Sequence, residues 1–420
     1  MMKTKVLISI LIICLITITT LSITILIPAY TASIEKKEEL EEKLKREEQI
    51  RNAKIVVELK NDLTIPFNSI AKVSDFISNI NGTIIDDYEI DTTSLGEVEV
   101  KFNYINEENI EIPYSYKVNV VDVTPPLIWL SSSYSVYTTY DGNLLDDIMC
   151  GDDYDDNPIC TIEGNYDTKK VGNYNLTFVA KDSSGNETRQ NFTLYVKEKK
   201  QSSSSSGGTP SRTKFTDVIA NYKTDNTKIG IDVSSWQGDI NFEKVKDAGV
   251  EFVIIRVGST RGINGEYFVD KKFIQNIEGF NNVGIPVGIY FYSYANSKES
   301  AINDANWLLD QIKGYKVDLP IFYDWESWSF YNEFNLSFYN LTNNAKAFIN
   351  TVEKAGYKGG LYSSKNYLEK VWLRIDTPIW LAHYTKQTSY KGPYSYWQMC
   401  SNGLVDGIYG NVDINIMYIK

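Results

Sequence analysis

Pro320-Ile321-Phe322-Tyr323-Asp324-Trp325-Glu326 is an apolar run that ends in two carboxylates two residues apart. Read as a strand, it places Asp324 and Glu326 on one face, their Cα atoms about 6.6 Å apart, with Trp325 turned the other way. A strand that is apolar along its whole length belongs to a parallel sheet buried on both faces. Acids at its carboxyl end match a barrel strand that delivers catalytic groups to the top of the barrel. Paired carboxylates are the equipment for cleaving glycosidic bonds. A surface Asp and Glu capping the next helix is the purely structural alternative.

Working outward, the same rhythm of strand and helix runs from Ile229 to the end of the chain. Strands are predicted over 229–233, 252–257, 285–292, 319–324, 359–362, 378–382, 396–399 and 412–415, and helices over 241–248, 271–281, 297–313 and 342–355. Gly249 and Gly356 stop two of the helices, and Ser297 begins another. Eight apolar strands with intervening helices predict a compact β/α barrel over 229–420. Asp232 closes the first strand, Arg256 lies in the second, Tyr290 in the third, and Asp324 with Glu326 close the fourth. Gln398 and Asp413 fall on the seventh and eighth. In a barrel these positions converge on one face, whereas a solvated surface would scatter its acids. Four acids gathered in one cleft are expected to spread their pKa values and so separate an acid from a base.

The motifs Gly230-Ile231-Asp232-Val233-Ser234-Ser235-Trp236-Gln237-Gly238, Phe252-Val253-Ile254-Ile255-Arg256, Tyr323-Asp324-Trp325-Glu326, Trp380-Leu381-Ala382, Tyr396-Trp397-Gln398 and Val412-Asp413-Ile414-Asn415 occur in order. Together they resemble glycoside hydrolase family 25, the Chalaropsis-type lysozymes, over 229–420. The resemblance implies an N-acetylmuramidase that cuts the β-1,4 bond between N-acetylmuramic acid and N-acetylglucosamine in peptidoglycan. It implies Glu326 as general acid and Asp324 as its anionic partner, acting as nucleophile or steadying the substrate's acetamido group. Asp232 and Asp413 would hold the sugar and tune that pair. Tyr290, Tyr362, Trp380 and Tyr384 are the expected sugar-facing aromatics, with Arg256 and Gln398 as further substrate contacts. Two rival readings are a catalytically idle peptidoglycan-binding or adhesive protein, and a chitinase-like hydrolase. The latter lacks its longer D-x-x-D-x-D-x-E pattern here.

Ahead of the barrel, residues 198–228 read as a linker, with five serines from Ser202 to Ser206 followed by Gly207-Gly208. Such a tether predicts a barrel that works alone. Residues 55–197 show short alternating strands, clearest at 114–120 and 173–180. Asp91-Thr92-Thr93-Ser94-Leu95-Gly96 recurs 76 residues later as Asp167-Thr168-Lys169-Lys170-Val171-Gly172. The repeat argues two β-sandwich modules, 55–123 and 124–197. The junction Asp122-Val123-Thr124-Pro125-Pro126 resembles that of bacterial cell-surface immunoglobulin-like repeats, which implies spacing or adhesion. Cys150 and Cys160 are compatible with a disulfide. Between them Asp152, Asp153, Asp155 and Asp156 match no calcium-loop spacing and read as a solvated acidic turn.

The N-terminus carries 22 consecutive uncharged residues, Val6 to Ile27. As a helix this stretch is about 33 Å long, enough to cross a bilayer core. Tyr30-Thr31-Ala32 is a poor cleavage site, and Cys14 is not in a lipobox-like context. Residues 1–33 are therefore expected to be an uncleaved anchor in the cell membrane, with a secreted, cleaved form as the alternative. Residues 34–54, rich in Lys, Arg and Glu, read as a charged helical stalk. The downstream domains are expected outside the cell.

Composition narrows the function further. With 420 residues, a net charge of -12 and pI near 4.9, nothing in the chain would neutralise nucleic-acid phosphates. His383 is the single histidine, which argues against zinc chemistry built on several histidines. No G-x-S-x-G precedes it to complete a serine hydrolase. The sequence implies no cofactor and no metal. Cys400 reads as a buried thiol.

Overall fold

In the computed structural model, residues 17, 27–199, 212–326 and 331–419 are described. The membrane span read over 6–27, with Cys14, lies outside them except for Thr17 and Ile27, as does the whole serine-glycine run 202–208. Among the described residues no helix is long and apolar enough to cross a membrane. The chain divides into two units, 1–123 and 124–420.

The first unit begins with helix Ile27–Asn52, whose Leu40 and Leu44 face solvent. Its four-stranded sheet runs Thr64–Pro66, Glu111–Val121, Gly96–Asn106, Gly82–Ile84, with a separate ladder of Val57–Leu59 on Ile77–Ile80. The outermost strand, Thr64–Pro66, is parallel to its neighbour and the rest are antiparallel.

Residues 124–197 of the second unit repeat that wiring. Their sheet runs Ser133–Tyr137, Glu187–Lys197, Gly172–Lys181, Ile159–Glu163, and Leu127–Ile128 pairs with Cys150–Gly151. The repeated Asp-Thr motif is a turn that launches the long hairpin each time. Asp91 Oδ1 accepts the N–H of Thr93 at 3.0 Å, Asp167 Oδ1 accepts that of Lys169 at 2.8 Å, and Gly96 or Gly172 then opens the strand. This is a coarser likeness than an immunoglobulin domain, whose constant-type sandwich packs four strands on three.

The barrel strands are β1 (Thr227–Val233), β2 (Val253–Thr260), β3 (Val287–Tyr292), β4 (Ile321–Asp324), β5 (Gly359–Ser364), β6 (Ile379–Ala382), β7 (Tyr396–Leu404) and β8 (Val412–Tyr418). They pair in sequence order, and β8 closes the ring between β7 and β1. Seven strands are parallel, but β8 runs antiparallel to both neighbours. This corrects the expectation of a regular β/α barrel. Only Val405–Asn411 separates β7 from β8, too short for the crossover that a parallel pair needs.

Alternation then sorts the side chains. Ile321, Tyr323 and Trp325 join the layer under the helices, while Phe322 packs inside the barrel with Phe252, Ile254, Tyr362, Trp380 and Tyr396. Gly230 of β1 makes room for this interior, because a Cβ there would lie 2.5 Å from the Phe252 ring.

The barrel's structure also starts earlier than its sequence pattern. Thr213–Lys214 pairs with β7, and helix Phe215–Tyr222 buries Phe215 and Val218 against the barrel. Residues 212–228 are thus part of the barrel rather than linker. Their helical period was hidden by a polar surface, which left only two buried positions to read.

Candidate active site

Asp232, Tyr290 and Asp324 reach one end of the barrel from the carboxyl halves of parallel strands, and Gln398 of β7 is level with Ala382, the last residue of β6. Asp413 reaches the same end from the start of β8, because that strand runs backwards. Asp413 pairs directly with Asp232 in the β1–β8 ladder. Glu326 stands two residues beyond Asp324, past the end of β4, and is exposed at the mouth while Asp324 is only 3% exposed.

A chain of hydrogen bonds fixes Asp232. Its Oδ2 accepts from Gln398 Nε2 at 3.0 Å and from Asn415 Nδ2 at 2.7 Å. The Gln398 Oε1 in turn accepts the hydroxyls of Tyr362 at 2.8 Å and Tyr384 at 3.1 Å. Two hydroxyl donors on that oxygen require the amide nitrogen to point at Asp232. On the other side, Trp380 Nε1 donates to Asn415 Oδ1 at 2.7 Å. Asp232 is therefore oriented by five residues that themselves have no charge.

Asp232 and Asp324 are buried, Asp413 is half-buried and Glu326 reaches the cleft, and loss of hydration raises all four. Burial lifts Asp232 to about 6 despite its two amide donors, and lifts Asp413 to about 8 with help from the charges of Asp232 and Glu326. Burial, the neighbouring charge of Glu326 and a hydrogen bond with it push Asp324 well above the ordinary carboxyl range. Burial raises Glu326 as well, offset by hydrogen bonding with Asp324 and Tyr362. Asp324 and Glu326 are thus hydrogen-bonded neighbours whose titrations are linked. Asp324 Oδ1 is buried with no hydrogen-bond partner. Opposed to these acids, the Arg256 guanidinium lowers Asp324 and Tyr290 somewhat.

Glu326 opens on a cleft of about 520 Å³ lined also by Tyr362, Tyr367, His383 and Tyr384. Of the aromatics expected to meet sugar, Tyr384 is 57% exposed and fits that role. Trp380 does not, being 1% exposed and packed edge-on to Tyr362 at 4.6 Å. It acts on the site through its bond to Asn415 and its packing on Tyr362 and Tyr290. Tyr290 is half-buried, also edge-on to Trp380 at 5.8 Å. Arg256 is not free for substrate either. Its Nε donates to buried Asp270 at 2.8 Å, and Ser235 takes another N–H at 3.1 Å. His383 pairs with Thr388 at 2.8 Å on the rim. Asn415, Asp270 and Tyr367 were missed from sequence. Asn415 was quoted within a motif, and its two-residue spacing from Asp413 on one strand face was the available clue. Cys400 is a buried free thiol, and Cys150 is bonded to Cys160.

Residues 231–408 match the sequence profile of glycosyl hydrolases family 25. Over 189 residues the chain is 28% identical to the autolytic lysozyme of Clostridium acetobutylicum, covering 44% of this chain and 54% of the relative. It is 30% identical over 205 residues to Lysozyme M1 of Streptomyces globisporus, covering 44% and 66%. The chain thus spans about half the length of the first and about two thirds of the second. Among solved structures, the modular autolysin LytC from Streptococcus pneumoniae, in complex with a synthetic peptidoglycan ligand, aligns at 27% identity and a TM-score of 0.41. That alignment covers 58% of this chain and 56% of LytC.

Proposed function

We propose that this chain, whose residues 231–408 form a family 25 glycosyl hydrolase domain, is a peptidoglycan hydrolase with N-acetylmuramidase activity. The observation that carries the reading is the pair of neighbouring acids at the mouth, one exposed in the cleft and one buried behind it. Glu326 is the carboxyl that a glycosidic oxygen can reach. As substrate binds, a proton moves from Asp324 to Glu326 and from there to the leaving oxygen. The C1–O bond breaks with its electrons on that oxygen. The acetamido oxygen of the same sugar closes on C1, and the ionised Asp324 faces the resulting positive charge. Water then opens the ring from the vacated face and returns a proton to Glu326, so configuration is retained.

Purified peptidoglycan treated with the full chain should yield new reducing ends, and early-time NMR should show the β-anomer first. Release of reducing ends from chitin but not from peptidoglycan would transfer the assignment to a chitinase. An initial α-anomer would remove the retaining mechanism.

The long apolar N-terminal stretch, the Cys150–Cys160 disulfide and a substrate outside the membrane support a membrane-anchored protein with its domains on the outer side. Protease added to intact cells should then degrade the barrel. A barrel protected on intact cells but cut after lysis would rule that topology out.

A further inference from the structure

Residues 124–197 are not a bead tethered to the barrel. The backbone carbonyls of Asp152 and Asp153 accept the N–H groups of Phe338 at 2.7 Å and Tyr339 at 3.1 Å, at the start of barrel helix Phe338–Lys354. Asp156 Oδ1 accepts the Ser337 N–H at 2.6 Å and Asn340 Nδ2 at 2.7 Å. Asn332 Nδ2 donates to the Leu145 carbonyl at 3.0 Å. Gly151 lies so close to the barrel that a Cβ would sit 2.7 Å from the Tyr331 ring and 2.8 Å from that of Phe338. The acidic loop between Cys150 and Cys160 is therefore a docking loop, which corrects the reading of it as a solvated turn. The carbonyls of Asp152 and Asp153 and the carboxylate of Asp156 take up N–H groups left over at the start of a barrel helix.

One contact of this module reaches a residue that lines the cleft. The Trp129 ring lies 4.9 Å from that of Tyr367, inclined at 50°, and Lys370 Nζ stands 5.2 Å from the Trp129 ring centre. Tyr367 and Lys370 belong to helix Lys365–Lys370, whose residues Lys365, Asn366 and Tyr367 line the cleft with Glu326. An aromatic pair at this distance holds a ring in one orientation. A fixed aromatic ring beside a general acid is a platform for the apolar face of a sugar.

We propose that the second β-module is a wall of the substrate cleft, in which Trp129 holds Tyr367 as a platform for a sugar ring next to Glu326. The ligand class, a β-1,4-linked N-acetylhexosamine strand, rests on the hydrolase reading above. Trp129 is a positioning residue and Tyr367 the contact. The serine-glycine stretch ties the module to the barrel covalently, and the docking surface decides where the module stands. The contribution of this wall would be lost from an isolated barrel, contrary to the expectation drawn from the linker.

The test measures affinity in the full chain carrying Glu326→Gln, so that binding is read without hydrolysis. The probe is a soluble peptidoglycan glycan fragment of defined length, titrated calorimetrically. Trp129→Leu keeps apolar volume at the interface and should raise Kd by about 3–10-fold, the worth of one aromatic contact. Trp129→Phe should restore it. In a Tyr367→Ala background, Trp129→Leu should add nothing further, since the two act as one unit. Tyr367→Ala alone reads the same contact from the barrel side, so misfolding of one variant leaves the other decisive. An unchanged Kd in either single variant, or equal losses with and without Tyr367, overturns the proposal. Loss of reducing-end release by the unmutated chain would instead strike the hydrolase reading and leave this binding result standing.

Discussion

Glu326→Gln should lower the rate of peptidoglycan hydrolysis by about 10²–10⁴, the usual contribution of a positioned general acid. Glutamine keeps the shape of the side chain but has no acidic proton to pass on. The pH profile carries the sharper information. Burial raises Glu326 above its ordinary value, so its acid form persists towards neutral pH and activity falls as pH rises through the raised value. In Glu326→Gln that upper limb should vanish, leaving a weak rate that no longer declines on the alkaline side. Because Asp324 and Glu326 influence each other's titration, the limb belongs to the pair and its midpoint is a macroscopic value. Initial rates of reducing-end release over a pH series measure both effects. A variant that keeps more than about a tenth of the rate, with the alkaline limb intact, would remove Glu326 from the proton-donor role.

Asp324→Asn should cost at least as much activity, and it should make the fold more stable near neutral pH. The activity falls because the asparagine can neither hand a proton to Glu326 nor oppose positive charge at the sugar. The stability rises for a reason of sign. Asp324 titrates well above 3.8 in the folded chain, with burial the largest cause. Between that ordinary value and the raised one, the folded state holds a proton that the unfolded state has released. Stability is therefore full below the ordinary value and declines as pH rises towards the folded one. The variant has no such decline, so its melting temperature relative to the parent should increase from pH 4 to pH 7. Calorimetric scans at the two pH values decide it. A difference that shrinks as pH rises would mean the carboxyl is not held protonated by burial. The expectation fits the general trade of stability for activity at sites that gather like charges.

Much of this site was legible because strand alternation is local. Asp232, Asp324 and Gln398 each lie on the inward parity of an apolar run, and that parity needs only the period of two and a buried sheet. Asp413 was placed on the right face from its motif, but the reason is one that no local pattern carries. It begins an antiparallel strand, where the others end parallel ones. The short Val405–Asn411 connection was in the chain, yet its consequence depends on β8 closing the ring against β1.

By itself, then, the sequence determined the acid-tipped strand 321–326, the barrel rhythm and the repeated Asp-Thr turns, and it allowed the Cys150–Cys160 bond that the fold makes. All of these depend on neighbours along the chain or on chemistry intrinsic to the residues. Only the tertiary structure decided which polar and aromatic side chains were already occupied. Trp380 is turned from a sugar contact into a donor to Asn415, and Arg256 is committed to Asp270. It also decided that Trp129, more than 230 positions from Tyr367 along the chain, packs on a ring of the cleft. Composition and spacing tell what a side chain is able to do. Hydrogen bonds and burial between distant segments decide which of those abilities remain available, because a donor or a ring face satisfied inside the fold is no longer offered to a ligand.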